Sequence, residues 1–167
     1  DCGAPDAQGI QMAGPAGHMI SGRQFDRRIC FEDLATGGSF MVFDQSRDIL
    51  DGIRNFTQFF VHESCGFCTP CRVGLVLLKK AVHKVVSGAG EPADLDYMRR
   101  LSYIISQTSR CGLGQAAPNP VLGALENFKP LYADLVSDRK RGLLSTFDLS
   151  KAVVDSELRV GRLSRYV

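Results

Sequence analysis

Four of the six cysteines in this 167-residue chain are spaced in a way that can do chemistry. Cys65, Cys68 and Cys71 form C-x2-C-x2-C inside His62-Glu63-Ser64-Cys65-Gly66-Phe67-Cys68-Thr69-Pro70-Cys71-Arg72, and Cys111 follows 40 residues later. A cubane iron–sulfur cluster presents four iron corners within a few ångströms, so three thiolates converging from one tight loop, joined by a fourth from elsewhere, suit a [4Fe–4S] cluster. Gly66 removes a side chain where backbone and cluster would approach most closely. Pro70 opens a helix and places Cys71 in its first turn, where the positive end of the helix dipole and Arg72 favour thiolate and a reduced cluster. Cys111-Gly112-Leu113-Gly114-Gln115 reads as a tight turn able to reach the same cluster, with Gly112 at its start.

Other readings compete with this one. A structural zinc site also uses four thiolates, though it usually draws them from two separated C-x2-C knuckles. A redox-active pair, Cys65/Cys68 or Cys68/Cys71, lacks the βαβ pattern that normally surrounds such a dithiol. Cys2 and Cys30 have no partner at ligand spacing and read as buried or idle thiols. His62 could bond near the cluster or cap the end of the preceding helix. His18 and His83 have no acidic or cysteine context. Phe56, Phe59 and Phe60 read as core. No glycine-rich nucleotide motif, P-loop or nucleophile beside a base is present.

Four helices are predicted to position the cysteines. Ile49, Ile53, Phe56 and Phe60 lie on one face of the first, capped by Asp44 or Ser46. Thr69-Pro70 is a cap followed by Pro, opening a second helix whose stripe is Leu75, Leu78, Val82 and Val85 and which ends at Ser87-Gly88-Ala89-Gly90. Asp94 caps a third, with Met98, Leu101 and Ile105 on one side. Asn119-Pro120 repeats the cap-plus-Pro device for a fourth carrying Val121, Leu125, Phe128 and Leu135. In an antiparallel bundle the second helix runs away from Cys71 and the third returns, which brings Cys111 back to the starting end. Ahead of the helices, residues 1–45 hold short apolar runs at His18–Ile20 and Ser39–Phe43, with Arg27–Phe31 as a third strand or a loop, too little to bury a core alone. The expected fold is α+β and mainly α: a partial β-grasp segment (1–45), a four-helix bundle (46–136) and a basic tail (137–167) in which 148–158 could be helical.

The net charge of +2 is too small to argue for nucleic acid. No apolar run approaches the roughly 20 residues that span a bilayer, so no membrane insertion is expected. Asp1-Cys2-Gly3-Ala4-Pro5 is neither a signal peptide nor an initiator start, so the chain is expected to begin inside a longer or processed polypeptide. Long amphipathic helices argue against a disulfide scaffold and for a reducing, cytoplasmic setting.

With Glu63–Arg72 and Cys111-Gly112-Leu113-Gly114-Gln115-Ala116-Ala117-Pro118-Asn119-Pro120 in view, the chain resembles the C-terminal part of the NADH-binding flavoprotein subunit family. That family is shared by respiratory complex I, NAD-linked formate dehydrogenases and NAD(P)-linked hydrogenases, and the resemblance runs from about Gly14 to Leu135. Gly14-Pro15-Ala16-Gly17-His18 and Phe31-Glu32-Asp33-Leu34 resemble the soluble-ligand-binding (SLBB) β-grasp module, and the helices resemble the cluster-binding bundle. Gly112–Gln115 and Asn119-Pro120 resemble hydrogenase- and formate-dehydrogenase-type subunits more than complex I, and Phe31–Phe40 tilts the likeness toward the diaphorase subunit of soluble NAD-reducing hydrogenase. The resemblance implies an electron relay on Cys65, Cys68, Cys71 and Cys111, within an oxidoreductase whose FMN and NAD lie in an upstream domain. It also implies partner subunits, including a further Fe–S carrier. Formate dehydrogenase, an electron-bifurcating hydrogenase and complex I are the alternatives within the family, and a zinc-stabilised docking module is the alternative outside it.

Overall fold

The computed structural model describes residues 3–136 and, further on, Val154, Glu157, Leu158, Val160 and Gly161. Most of the basic tail, with its expected 148–158 helix, and Cys2 lie outside the described residues.

Three short strands, β1 (Gly9–Met12), β2 (Met19–Ser21) and β3 (Phe40–Phe43), form an antiparallel sheet in the order β2-β1-β3. The register pairs Ile10 with Ile20 on one side and with Val42 on the other. The central strand β1 lies outside the two apolar runs recognised in the sequence. Gln11 interrupts its pattern, yet is fully buried because its amide donates to the Gly14 carbonyl at 2.7 Å. Arg27–Phe31 is not a strand. It belongs to an irregular loop tied down by the Arg27–Asp33 ion pair and by Arg28 N–H donating to Asp33 at 3.0 Å. The Arg27 guanidinium, bonded to the Asp33 carboxylate, holds its pKa below the ordinary value.

The helices are α1 (Ile49–Glu63), α2 (Leu75–Lys84), α3 (Pro92–Thr108), α4 (Gly112–Ala116), α5 (Asn119–Asn127) and α6 (Lys129–Ala133). Wider π turns, Pro70–Gly74 and Val85–Ala89, flank α2. α1 packs on α2, α2 on α3, α3 on α5 and α5 back on α1, a closed ring of four. The start of α2 meets the end of α3: a Cβ on Gly74 would lie 2.6 Å from Ile105 Cγ1. These two helices therefore run in opposite directions.

Several boundaries differ from expectation for local reasons. Asp48 caps α1, its carboxylate accepting from Leu50 N–H at 2.8 Å, while Asp44 spends its own on Ser46 in the preceding turn. Thr69 is already helical (φ −58°, ψ −44°) and makes no cap bond. Glu91 occupies the cap position of α3, and Asp94 reaches back to Glu91 N–H at 2.7 Å from the third helical position. Asn119 is likewise no cap, since its amide donates to the Ala16 carbonyl at 2.8 Å. The fourth stripe breaks at Phe128 (φ −124°, ψ 37°), where Pro130 in the next turn disfavours continuation. Phe56 and Phe60 are core, but Phe59 is exposed.

One large core runs through the bundle and takes in Met19 from β2. A smaller cluster of Met12, Ile20 and Leu34 lies under the loop.

Candidate iron–sulfur site

Cys65 and Cys68 stand on a loop that leaves α1 at Ser64 and re-enters helix at Thr69, and Cys71 follows in the Pro70–Gly74 π turn. Gly66 has φ +76°, in the left-handed region that other residues avoid, so the turn between Cys65 and Cys68 requires glycine for its backbone as well as for room. Arg72 Nη1 donates to the Gly66 carbonyl at 2.9 Å and braces this turn. Arg72 N–H bonds the Cys68 carbonyl at 2.9 Å, closing the turn that carries Cys71.

Cys71 is buried, with 5% of its surface exposed, whereas Cys65 and Cys111 are exposed and Cys68 is half-buried. Burial pushes the Cys71 thiol up, and the Ser64 hydroxyl, 3.1 Å from its sulfur, offsets part of that. Charge on Cys68, Cys111 and Cys65 also raises it. Cys71 thus feels the charge of the other three cysteines, including the one 40 positions away. Cys68 behaves oppositely: backbone N–H groups of Arg110 and then Cys71 face its sulfur and lower its pKa, and the Arg110 charge adds to this.

Cys111 stands at the cap position of α4, a short helix where the sequence suggests only a turn. Gln115 fastens it, its N–H on the Cys111 carbonyl at 3.1 Å and its side-chain amide on the Ser109 carbonyl at 3.0 Å. Gly114 is the tight glycine of this segment. A Cβ there would lie 2.5 Å from Ser109 Oγ and 3.2 Å from Cys71 Cβ, whereas one on Gly112 would meet no protein atom within 4 Å. His62, 81% exposed, points to Glu63 at 3.0 Å. Cys30 stands apart, its nearest polar contact the Arg28 carbonyl at 3.9 Å.

Three participants escaped the sequence reading. Ser64 bonds Cys71, Arg110 faces Cys68, and Phe67 stacks on Arg110 with the guanidinium carbon 5.1 Å from the ring centroid. Ser64 and Phe67 lie inside the motif and were legible as neighbours, but nothing local pairs Phe67 with a residue 43 positions away.

Residues 51–135 match the family described as the NADH-ubiquinone oxidoreductase-F iron-sulfur binding region. The chain belongs to that family. Its members' region binds a 4Fe–4S cluster, and the donor set here fits one: four thiols, one buried beside a hydroxyl and one facing backbone N–H groups. The chain is 41% identical, over 90% of its length, to the alpha subunit of NAD-reducing hydrogenase HoxS from Cupriavidus necator, of which it covers 25%. It is 35% identical, over 83% of its length, to the NADP-reducing hydrogenase subunit HndC of Solidesulfovibrio fructosivorans, covering 30%. The crystal structure of an NAD+-reducing [NiFe]-hydrogenase in the H2-reduced state superposes with a TM-score of 0.77 at 31% identity, covering 96% of this chain and 28% of that one. The chain therefore spans about a quarter to a third of the proteins it matches. As one region of an oxidoreductase subunit family it is mainly helical. No helix among the described residues is long and apolar enough to cross a membrane.

Proposed function

We propose that Cys65, Cys68, Cys71 and Cys111 ligate one [4Fe–4S] cluster, and that the chain relays single electrons to or from FMN in an NAD-linked oxidoreductase. Among such enzymes NAD-reducing hydrogenase (H2 + NAD+ = NADH + H+) is favoured, because the hydrogenase subunit alpha shares the most sequence with this chain of the relatives compared above. The observation that carries the ligand assignment is the packing of Gly114, three residues after Cys111, against Cys71, a Cβ there lying 3.2 Å from Cys71 Cβ, so that the distant cysteine's segment closes on the C-x2-C-x2-C segment. The cluster supplies the one-electron couple; the chain supplies the thiolates, the Ser64 hydroxyl and the backbone N–H groups that stabilise negative charge on sulfur. In this reading Gly66, Gly112 and Arg72 surround the cluster, FMN and NAD(H) sit in an upstream domain, and a further Fe–S subunit takes the electron onward in the cytoplasm. Residues 1–45 then form part of an SLBB module, 46–136 the cluster domain and 137–167 a basic tail.

A structural zinc ion also takes four thiolates, so metal content decides between the two. The test is to purify the full polypeptide with its partner subunits anaerobically and measure iron, acid-labile sulfide and zinc. Iron and sulfide are expected in excess of what the partner subunits carry, and each Cys→Ser change at the four positions lowers both by about four per complex, with part of the dithionite-bleached absorption. A complex that carries zinc instead, and whose iron and sulfide do not fall on these changes, refutes the relay. Co-purified nickel–iron subunits support the hydrogenase assignment; a molybdenum subunit replaces it with formate dehydrogenase.

A further inference from the structure

Two guanidinium groups stand beside the cysteines, and they are used differently. Arg72 is committed to the Gly66 carbonyl. Arg110, immediately before Cys111, lies over the ring of Phe67, which sits between Cys65 and Cys68. The stack therefore joins the two separate cysteine-bearing segments and holds a permanent positive charge at the seam between them. Among the described residues no ion pair joins Arg110 to a carboxylate. Phe67 is 72% exposed, so its ring is open to the guanidinium.

The geometry points to Arg110, held in place by the face of Phe67, as the cation that sets the cluster's reduction potential. This rests on the proposed cluster. Reduction adds one negative charge to the cluster, and a fixed cation nearby favours that state by Coulomb attraction. The aromatic face is what fixes it, since a guanidinium is attracted to the negative face of a ring. Lys keeps the charge but not the broad planar group, so the two contributions separate. Because the pair is at the surface, salt screens part of its effect.

The experiment is an EPR-monitored redox titration of the full complex. Arg110→Gln is expected to shift the reduction equilibrium about tenfold toward the oxidised state, a fall of about 59 mV for a one-electron couple. Arg110→Lys shifts it less, and the Arg110→Gln difference shrinks as ionic strength rises. Phe67→Leu, which frees the guanidinium, lowers the potential part of the way, and Phe67→Leu combined with Arg110→Gln falls no further than Arg110→Gln alone. A cluster-loaded Arg110→Gln complex at the unsubstituted potential overturns the inference, and so does strict additivity of the two changes. If Arg110→Gln does not load, Arg110→Lys must load and stay close to the unsubstituted potential, and its failure to do so also overturns the role of the charge. An unsubstituted complex in which no EPR signal is lost on Cys111→Ser instead refutes the proposed function itself.

Discussion

Ser109, Gly114 and Cys71 are stacked without spare room, and this contact sets how closely the fourth cysteine's segment can approach the other three. Gly114→Ala puts a methyl 2.5 Å from Ser109 Oγ and 3.2 Å from Cys71 Cβ, distances that force one of them to move. Overpacking of this kind costs about 1–3 kcal/mol. The expected outcome is a severalfold drop in iron bound per chain with helical content preserved, read by iron analysis beside circular dichroism; full loading would show that the two segments tolerate separation. Gly112→Ala is the useful contrast. Its methyl meets no protein atom within 4 Å, so any loss of iron there reports contact with the cluster itself. At this scale the ligands were legible because thiol chemistry confines them to a narrow spacing. Their neighbours Arg110 and Ser109 were not, because a stack across 43 positions and a glycine packed on a serine exist only after the helices have met.

Helices are the scale at which sequence was most informative here, and where it failed the cause is local competition. Asp44, Ser46 and Asp48 are all capping types within five positions, and only the backbone decides that Asp48 closes α1. The stripe Val121, Leu125, Phe128 and Leu135 keeps helical spacing across a real break, because periodicity does not register the Pro130 ring. The antiparallel return of α3 was expected from the sequence, but the close approach of α2 and α3 that seats it was not. Gly74 lies there, next to Ile105, and its missing side chain lets α2 begin close to the end of α3. Gly74→Val should therefore lower stability by about 1–3 kcal/mol through overpacking, outweighing the roughly 0.3–0.5 kcal/mol that valine returns over glycine in helix propensity. Thermal unfolding of the loaded complex checks the sign. A higher midpoint would mean that the helices do not depend on this close approach.

On the scale of the whole molecule, the question is whether the sheet and the bundle open as one unit or two. The sheet has its own small cluster of Met12, Ile20 and Leu34, yet Met19 of β2 enters the bundle core. Two side-chain amides fasten the join: Asn119 donates to the Ala16 carbonyl at 2.8 Å and Asn127 to the Met19 carbonyl at 2.7 Å. Between them Gly123 lies against the Met19 backbone, where a Cβ would be 3.0 Å from the carbonyl oxygen. Each amide bond contributes about 0.5–1.5 kcal/mol net, so removing both loosens the join by about 2 kcal/mol without touching a cysteine. A three-stranded sheet with so little core of its own should then open ahead of the helices. Hydrogen exchange on the Asn119→Ala/Asn127→Ala protein should show β1 and β2 amides exchanging roughly thirtyfold faster, the α1–α3 amides at their original rates, and iron content unchanged. Equal acceleration across sheet and bundle would mean instead that Met19 makes them one cooperative unit, and that any disturbance of the sheet is felt at the cysteines.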